Sequence, residues 1–161
     1  MKITCSKEEL AARLSAAGRA ASAKGTIPVL AAVLVRAEEG RVELSATDME
    51  ISVRVPLDAV IEEPGAVVLP RLAAEIVRTM PPGEIALEHR RGEGVVALRG
   101  GGSSFTLNCL QADEFPELPS DEGAGVAVPA EALTTTIERV VRAASRDETR
   151  PVLTGVLVRI G

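Results

Sequence analysis

Aromatic residues are nearly absent from this chain of 161 residues, which contains two Phe and neither Trp nor Tyr. Proteins that hold single-stranded nucleic acid without sequence preference usually stack the bases on aromatic side chains. The composition therefore argues against that mode of binding. Because 46% of the residues are hydrophobic, a sizeable core can still form, and it must be built mainly from aliphatic side chains.

Cysteine and histidine are also scarce, with two cysteines and one histidine in the chain. Cys5 and Cys109 lie far apart in strand-like segments, so the sequence predicts neither a disulfide framework nor a clustered metal site. We interpret both as small buried residues in a reducing cytoplasm. The N-terminus is polar and no apolar run approaches about 18 residues, which predicts no signal peptide and no membrane span.

Catalytic motifs are equally hard to find. His89 lies beside two arginines and a glycine, a pattern typical of a solvated hairpin tip, and no serine has the glycine spacing of a nucleophile elbow. The run Gly100–Ser104 precedes a strand, whereas a phosphate-binding loop precedes a helix, so we expect a hairpin turn. Asp48 and Glu50 could hold a metal, but acids in a turn usually cap backbone N–H groups.

The order of elements predicts an α+β fold. Residues 1–109 show the same pattern twice, one strand, one helix and three strands, with period-two alternation in the strands. We expect antiparallel sheets with both helices on one face. The strands are predicted near residues 2–5, 29–38, 42–46, 50–57, 66–69, 85–89, 95–99 and 104–109, and the helices near 7–21 and 70–79. Residues 110–124, rich in acids, prolines and glycines, are predicted to be a linker.

An internal repeat follows the predicted linker. When the chain is shifted by 123 positions, residues 3–36 align with residues 126–159 without a gap, and 14 of the 34 aligned residues are identical. Such a repeat indicates similar structural units placed side by side. We therefore expect residues 125–161 to begin a second domain. This domain is incomplete at Gly161, so the natural chain should be longer.

Three segments give the chain a resemblance to a known family. Thr47–Glu50 resembles a Thr-Asp-Leu-Glu signature, with Met49 in place of Leu, and Thr26–Leu30 resembles a Thr-x-Pro-x-Leu segment. Ala112–Leu118 resembles the segment that leaves the first domain in the same family. Together with the repeated units, their order resembles the bacterial DNA sliding clamps, the beta subunits of DNA polymerase III.

The resemblance implies a function without catalysis or a cofactor. Clamps of this family have three domains of two such units each, and two chains join head to tail in a ring around double-stranded DNA. The ring holds the DNA polymerase III catalytic subunit on its template and is placed there by a clamp loader. We expect this piece alone not to close a ring, because the surface of the third domain is absent.

Basic residues are concentrated on the exposed sides of the predicted helices. The net charge of −5 does not by itself suggest a nucleic-acid partner. Acids nevertheless predominate in strands, turns and the linker, whereas arginines lie opposite the apolar helix faces, where phosphates could be bound without reading bases. These arginines are Arg71 and Arg78 on the second helix, Arg139, Arg142 and Arg146 on a third helix predicted after the linker, and Arg19 near the end of the first.

The resemblance assigns further roles residue by residue. Lys24 matches a basic loop position that touches DNA in the family, and the two arginines of the second helix match basic positions on an inner helix. Phe105 and Leu107 match positions at the head-to-tail dimer contact, although an ordinary strand core would explain them equally well. Leu153 matches one wall of the cleft that binds polymerase and loader peptides.

Two alternatives to a clamp remain at this point. A β-rich scaffold for protein interactions would share the fold but would not bind DNA, and salt-dependent binding to unrelated DNA sequences would distinguish it from a clamp. An enzyme would show turnover that depends on a metal or a substrate.

Overall fold

The structure is a computed structural model and describes residues 1–22, 27–120, 125–147 and 149–159. The chain forms two compact units, Met1–Pro119 and Ser120–Gly161. We call them the first unit and the second unit and describe each by itself.

The first unit contains two antiparallel sheets and two helices, which confirms the predicted α+β class. One sheet has five strands in the order β5-β1-β7-β8-β9, and the other has four in the order β4-β3-β2-β6. The strands are β1 (Lys2–Ser6), β2 (Ala32–Glu38), β3 (Arg41–Thr47), β4 (Ser52–Leu57), β5 (Val60–Glu63), β6 (Gly65–Pro70), β7 (Glu84–Arg90), β8 (Val95–Gly100) and β9 (Ser103–Asn108). The helices are α1 (Lys7–Ala17) and α2 (Leu72–Thr79).

Helix α1 is shorter than the sequence pattern predicted. It begins where the Ser6 hydroxyl accepts a hydrogen bond from the Glu9 backbone N–H at 3.1 Å, and it ends at Ala17 rather than near Ala21. Glycine is a weak helix former, and Gly18 caps the helix. A Cβ atom at this position would lie 2.9 Å from the Leu14 carbonyl oxygen, so the chain approaches the helix too closely for a side chain.

Two segments differ from their predicted structure. Pro28–Ala31 forms a 3-10 turn before β2, because proline favours a turn and cannot donate to a strand ladder. Val60–Glu63 forms a strand that pairs with β1, in a stretch for which no strand was predicted. Strand β5 contains only four residues, and two of them are glutamates before a proline. It therefore lacks the apolar alternation by which a strand is predicted.

The main core lies between the helices and the two sheets. Leu10 and Leu14 of α1 and Val77 of α2 are buried in one cluster, the inner core, with residues from both sheets. On β2, Val33 and Val35 face this cluster. Both helices therefore lie on the same face of the four-stranded sheet, as predicted.

A second cluster, the outer core, covers the opposite face of the four-stranded sheet. It contains Leu30, Leu34, Val68 and Phe115, with Leu118 packed against it. The segment Leu110–Leu118, which we call the strap, therefore belongs to the first unit although its acids and prolines suggested a linker. Its polar residues are exposed, and its few apolar residues make the contacts.

Backbone and side-chain hydrogen bonds hold the strap at both ends. Leu110 exchanges backbone hydrogen bonds of 3.1 and 3.2 Å with Val68. The Arg54 guanidinium donates to the Leu118 carbonyl oxygen at 3.1 Å. The strap is thus an integral layer of the first unit.

The second unit contains helix α3 (Ala130–Val140) and 3-10 turns at Val141–Ala143 and Pro151–Leu153. A shift of 123 positions places α3 on α1 residue for residue. The backbone N–H of Ser145 donates to the Leu153 carbonyl oxygen at 2.8 Å, and Ser22 makes the same bond to Leu30 at 2.8 Å. The sequence repeat is therefore a structural repeat over these residues.

Candidate nucleic-acid interface

Three of the predicted DNA-binding arginines surround one groove between α1 and α2. Arg19, Arg71 and Arg78 line this α1–α2 groove, together with Ser15 and Glu75. The groove has a volume of about 370 Å³ and opens to solvent. Residues far apart in sequence thus meet at one surface on the helix side of the first unit.

The apolar pattern of α2 places its arginines in the groove. Ala73 and Val77 are fully buried on one side of the helix, so Arg71, just before its first residue, and Arg78, in its last turn, are exposed. Residues seven apart lie on nearly the same side of a helix, two turns from each other. Arg19 follows the glycine that ends α1 and is also exposed.

These arginines differ from most others of the first unit in having no carboxylate partner. Arg78 donates from Nη2 to the Ser15 hydroxyl oxygen at 3.0 Å. Arg19 and Arg71 have neither a hydrogen-bond nor an ion-pair partner among the residues that the structure describes, and Arg91 likewise lacks an ion pair there. Elsewhere in the unit the arginines are paired with glutamates: Arg13 with Glu9, Arg36 with Glu38, Arg41 with Glu39, Arg54 with Glu43, Arg90 with Glu88 and Glu93, and Arg99 with Glu88.

The second unit has a smaller basic surface. Arg139 and Arg142 line a shallow depression of about 360 Å³ with Thr135 and Glu138. The prediction that Arg142 and Arg146 lie on the third helix was wrong, because α3 ends at Val140; Arg142 lies in the 3-10 turn and Arg146 is exposed in the irregular segment that follows. In the repeat, Arg142 corresponds to Arg19, so both units carry an arginine just beyond the first helix.

The remaining predicted site residues have different environments. Lys24 lies outside the described residues. Phe105 and Leu107 are both on β9, the edge strand of the five-stranded sheet, but Leu107 is only 7% exposed and belongs to the inner core, whereas Phe105 is 36% exposed. Leu153 is half exposed on its turn. Their roles in a dimer contact and a peptide cleft stay predictions.

The residues considered for catalysis have structural environments. The Asp48 carboxylate accepts hydrogen bonds from the backbone N–H groups of Ile51 at 2.7 Å and Glu50 at 3.0 Å, and these bonds lower its pKa. Asp48 therefore caps its turn. Gly101 and Gly102 have φ of 54° and 78° between β8 and β9, which confirms the hairpin turn.

The hairpin-tip interpretation of His89 was wrong. His89 is on β7 and is only 7% exposed, because its strand position alternates with that of solvent-facing neighbours. Burial, together with nearby positive charge that includes Arg91, lowers its pKa.

The cysteine interpretation agrees with the structure for Cys5, which is buried and free; burial raises the pKa of its thiol to about 11. Cys109 is also free but only partly buried. Within the described ranges, no three His, Cys, Asp or Glu side chains form a group that could hold a metal ion. In the same ranges, no helix is both long and apolar enough to span a membrane.

Sequence reasoning missed Ser15, which contacts Arg78 across the groove. The helical pattern places Ser15 beside the apolar side of α1, next to Leu14. Nothing in the sequence indicates that α2 packs beside this residue. The contact joins residues 63 positions apart.

Comparison with known proteins identifies the family. The family profile described as "DNA polymerase III beta subunit, N-terminal domain" matches residues 1–119. The chain belongs to this family. It is 42% identical to the beta sliding clamp of Streptomyces coelicolor over 99% of its own length and 42% of that protein. It is 34% identical to the beta sliding clamp of Bacillus subtilis, over 97% of its own length and 44% of that protein.

Solved structures give the same result. The crystal structure of the DNA polymerase sliding clamp from Bacillus subtilis matches with a TM-score of 0.90 and 34% identity, covering 97% of this chain and 43% of that one. A Caulobacter crescentus pol III beta structure matches with a TM-score of 0.87 and 32% identity, covering 96% of this chain and 42% of that one. The chain thus spans less than half the length of each of these four relatives.

Proposed function

We propose that this chain is part of a DNA sliding clamp, which encircles double-stranded DNA and keeps a replicative polymerase on it. The observation that carries the proposal is the contrast between the arginines. Those around the α1–α2 groove have no carboxylate partner among the described residues, whereas most others of the first unit are paired with glutamate. Family membership supports the same conclusion.

The chemistry of the groove suits a protein that moves along DNA. Guanidinium groups that bind phosphates supply affinity and carry no base information, so they hold any sequence equally. Glutamates neutralise most of the other arginines of the unit, Arg91 excepted, so the groove on the helix side has the largest group of arginines without a carboxylate partner among the described residues. The protein itself need perform no catalytic step.

The partners follow from the same proposal. A head-to-tail homodimer ring would use the edge of β9, where Phe105 remains partly exposed. The DNA polymerase III catalytic subunit and the clamp loader would contact a cleft that includes the exposed Leu153. The second unit would begin the second clamp domain, and the assembly would act in the cytoplasm.

The test uses a chimera in which residues 1–161 replace the matching part of the Bacillus subtilis clamp. Loaded by the Bacillus subtilis clamp loader, the chimera should remain on nicked circular DNA and should leave when the DNA is cut, as the unmodified clamp does. Retention is measured by gel filtration of the protein–DNA complex. A folded dimeric chimera that is lost equally from circular and linear DNA would contradict the proposal and favour a scaffold without DNA binding.

A further inference from the structure

We propose that Ser15 is a positioning residue, which orients the Arg78 guanidinium so that the α1–α2 groove forms a preformed site for one phosphate group. This inference rests on the proposed function. It adds a phosphate subsite in the groove and a residue, Ser15, that acts through Arg78.

The contact between Ser15 and Arg78 restrains a side chain that would otherwise be mobile. Arg78 is exposed in the last turn of α2, and an exposed arginine has many rotamers. Its Nη2 atom donates to the Ser15 hydroxyl oxygen at 3.0 Å, a normal hydrogen-bond length. Ser15 itself is half-buried on α1, which packs directly against α2, so its hydroxyl lies within reach of the Arg78 guanidinium.

A hydroxyl is suited to this task because it orients the guanidinium without neutralising it. A guanidinium has five N–H donors, and one bond to Ser15 leaves the others free for a ligand. Arg13, on the same helix, shows the contrasting case, since its Nε atom donates to the Glu9 carboxylate at 2.7 Å. Glu9 neutralises the charge of Arg13, whereas the Ser15 hydroxyl holds Arg78 and leaves its positive charge in place.

The other residues of the groove indicate a phosphate as the ligand. Arg19 and Arg71 line the same groove, with Glu75 as its acid, so three positive side chains face one negative side chain. Guanidinium groups match the oxygens of a phosphate in geometry as well as in charge. The groove, of about 370 Å³, is large enough for a phosphate group but contains no aromatic side chain that could stack a base. The phosphate could belong to the DNA backbone or be free in solution.

The repeat shows that this arrangement is particular to the first unit. A shift of 123 positions places Ser15 on Glu138, which lines the depression beside Arg139 and Arg142. A carboxylate at this position would attract an arginine and repel a phosphate. The hydroxyl in the first unit is therefore a specific feature of its groove and not a property of every helix in the repeat.

The experiment compares Ser15→Ala, Ser15→Thr and Arg78→Ala in the 161-residue chain. Arg13→Ala and Arg36→Ala serve as controls, because both arginines are already paired with glutamates. Thermal unfolding first shows that each variant is folded. NMR signals of the Arg78 guanidinium then report its rotation, and the same signals are followed during titration with inorganic phosphate and, separately, with short duplex DNA of two unrelated sequences.

We expect Ser15→Ala to speed the rotation of the Arg78 guanidinium and to weaken duplex binding about twofold to threefold, because the guanidinium is then less often in the orientation that binds. Ser15→Thr keeps the hydroxyl and should restore both properties. Arg78→Ala should weaken binding roughly fivefold to tenfold, and the two controls less than twofold. If inorganic phosphate perturbs the Arg78 signal, the groove is a site for free phosphate. If only duplex DNA perturbs the signal, the groove is a site for the DNA backbone.

Other outcomes would overturn the inference. If Ser15→Ala binds as well as the unmodified chain or more tightly, or if Ser15→Thr behaves like Ser15→Ala, Ser15 has no positioning role. If neither probe perturbs the Arg78 signal, the groove is not a phosphate site. The proposed function fails separately, because it requires Arg78→Ala to weaken duplex binding whatever the Ser15 variants do.

Discussion

Helices α1 and α3 occupy the same place in the internal repeat but have opposite environments. Leu14 of α1 is 2% exposed in the inner core, whereas Ile137, its equivalent on α3, is 37% exposed. The two helices have the same length, and the turns after them contain equivalent hydrogen bonds. The same local pattern thus gives the same local structure with or without a core around it.

The strands behave differently from the helices. In the first unit β1 pairs with β5 and β7, and β2 pairs with β3 and β6. The equivalent residues 126–129 and the described residues 155–159 form no strand. A helix satisfies its backbone hydrogen bonds internally, whereas a strand needs a neighbouring strand. Comparison of the units therefore separates what is encoded locally from what requires partners.

The largest effect should come from truncating equivalent residues in the two helices. Leu14→Ala removes a fully buried side chain, and we expect it to lower the free energy of unfolding of the first unit by about 2–4 kcal/mol. Ile137→Ala removes a partly exposed side chain of the second unit, and it should change the free energy of unfolding of that unit by less than about 0.5 kcal/mol. Urea denaturation followed by circular dichroism measures both. Similar losses for the two variants would show that α3 is buried to the same extent as α1.

A second prediction concerns the strap, which covers the outer core of the first unit. Phe115 is 8% exposed there, so Phe115→Ala should destabilise this unit by about 2–3 kcal/mol through loss of apolar burial. Glu114→Ala, a change at an exposed neighbour, is the matched control and should have little effect. Hydrogen exchange of the Val68 and Leu110 amides should accelerate in the Phe115 variant. If both variants are as stable as the unmodified chain, residues 110–118 are a linker and not a structural layer.

The free energy of unfolding should depend on pH near neutrality mainly through the first unit. His89, the one histidine of the sequence, lies in that unit. Its pKa is lowered in the folded state, mainly by burial, so the unfolded chain binds the proton more readily. The free energy of unfolding should therefore be highest above the unfolded pKa of about 6.5 and decrease as pH falls through and below that value. The decrease ends at the lower folded-state pKa.

The slope for this single proton cannot exceed about 1.4 kcal/mol per pH unit. His89→Gln, which stays neutral, should remove most of the slope between about pH 7 and pH 5, where few carboxylates titrate. Urea unfolding across this range measures it. An unchanged slope in the Gln variant would assign the pH dependence to other groups.

The smallest effect should distinguish the equivalent arginines Arg19 and Arg142. Both are exposed, so alanine variants should change stability by less than about 0.5 kcal/mol. Arg19 lies in a groove with two further arginines that have no carboxylate partner among the described residues, whereas Arg142 lies beside Glu138. We therefore expect Arg19→Ala to weaken duplex binding more than Arg142→Ala, as measured by fluorescence anisotropy at low salt. A larger loss for Arg142→Ala would make the second unit the principal contact.

Much of the fold could be predicted from the sequence because local patterns determine it. Alternation and apolar runs predicted eight of the nine strands of the described residues, and the apolar spacing on α2 predicted which side its arginines face. Strand β5 and the strap were missed for a shared reason. Both segments are acidic, with Pro64 directly after β5 and Pro116 within the strap, and only the pairing of β5 with β1 and the packing of Phe115 in the outer core give them structure.

The candidate site was predictable only in part. The helical pattern indicated exposed arginines, but it could not show that Arg19, Arg71 and Arg78 meet at one groove or that glutamates neutralise most other arginines of the first unit. His89 was misjudged because strand alternation buried it while its sequence neighbours suggested a turn. Contacts between distant residues decide these points, and one sequence does not contain them.

We infer that the arginines of the α1–α2 groove, which have no carboxylate partner among the described residues, bind duplex DNA through phosphates alone. The most direct measurement compares the triple variant Arg19→Ala, Arg71→Ala, Arg78→Ala with the control variant Arg13→Ala, Arg36→Ala, Arg99→Ala, which removes the same charge from paired positions. Binding to duplexes of unrelated sequence is measured across a salt series. We expect the groove variant to flatten the slope of log K against log salt by about 0.9 for each lost contact, equally for every sequence, while the control keeps its slope. Equal slopes for the two variants, or a loss that depends on DNA sequence, would contradict it.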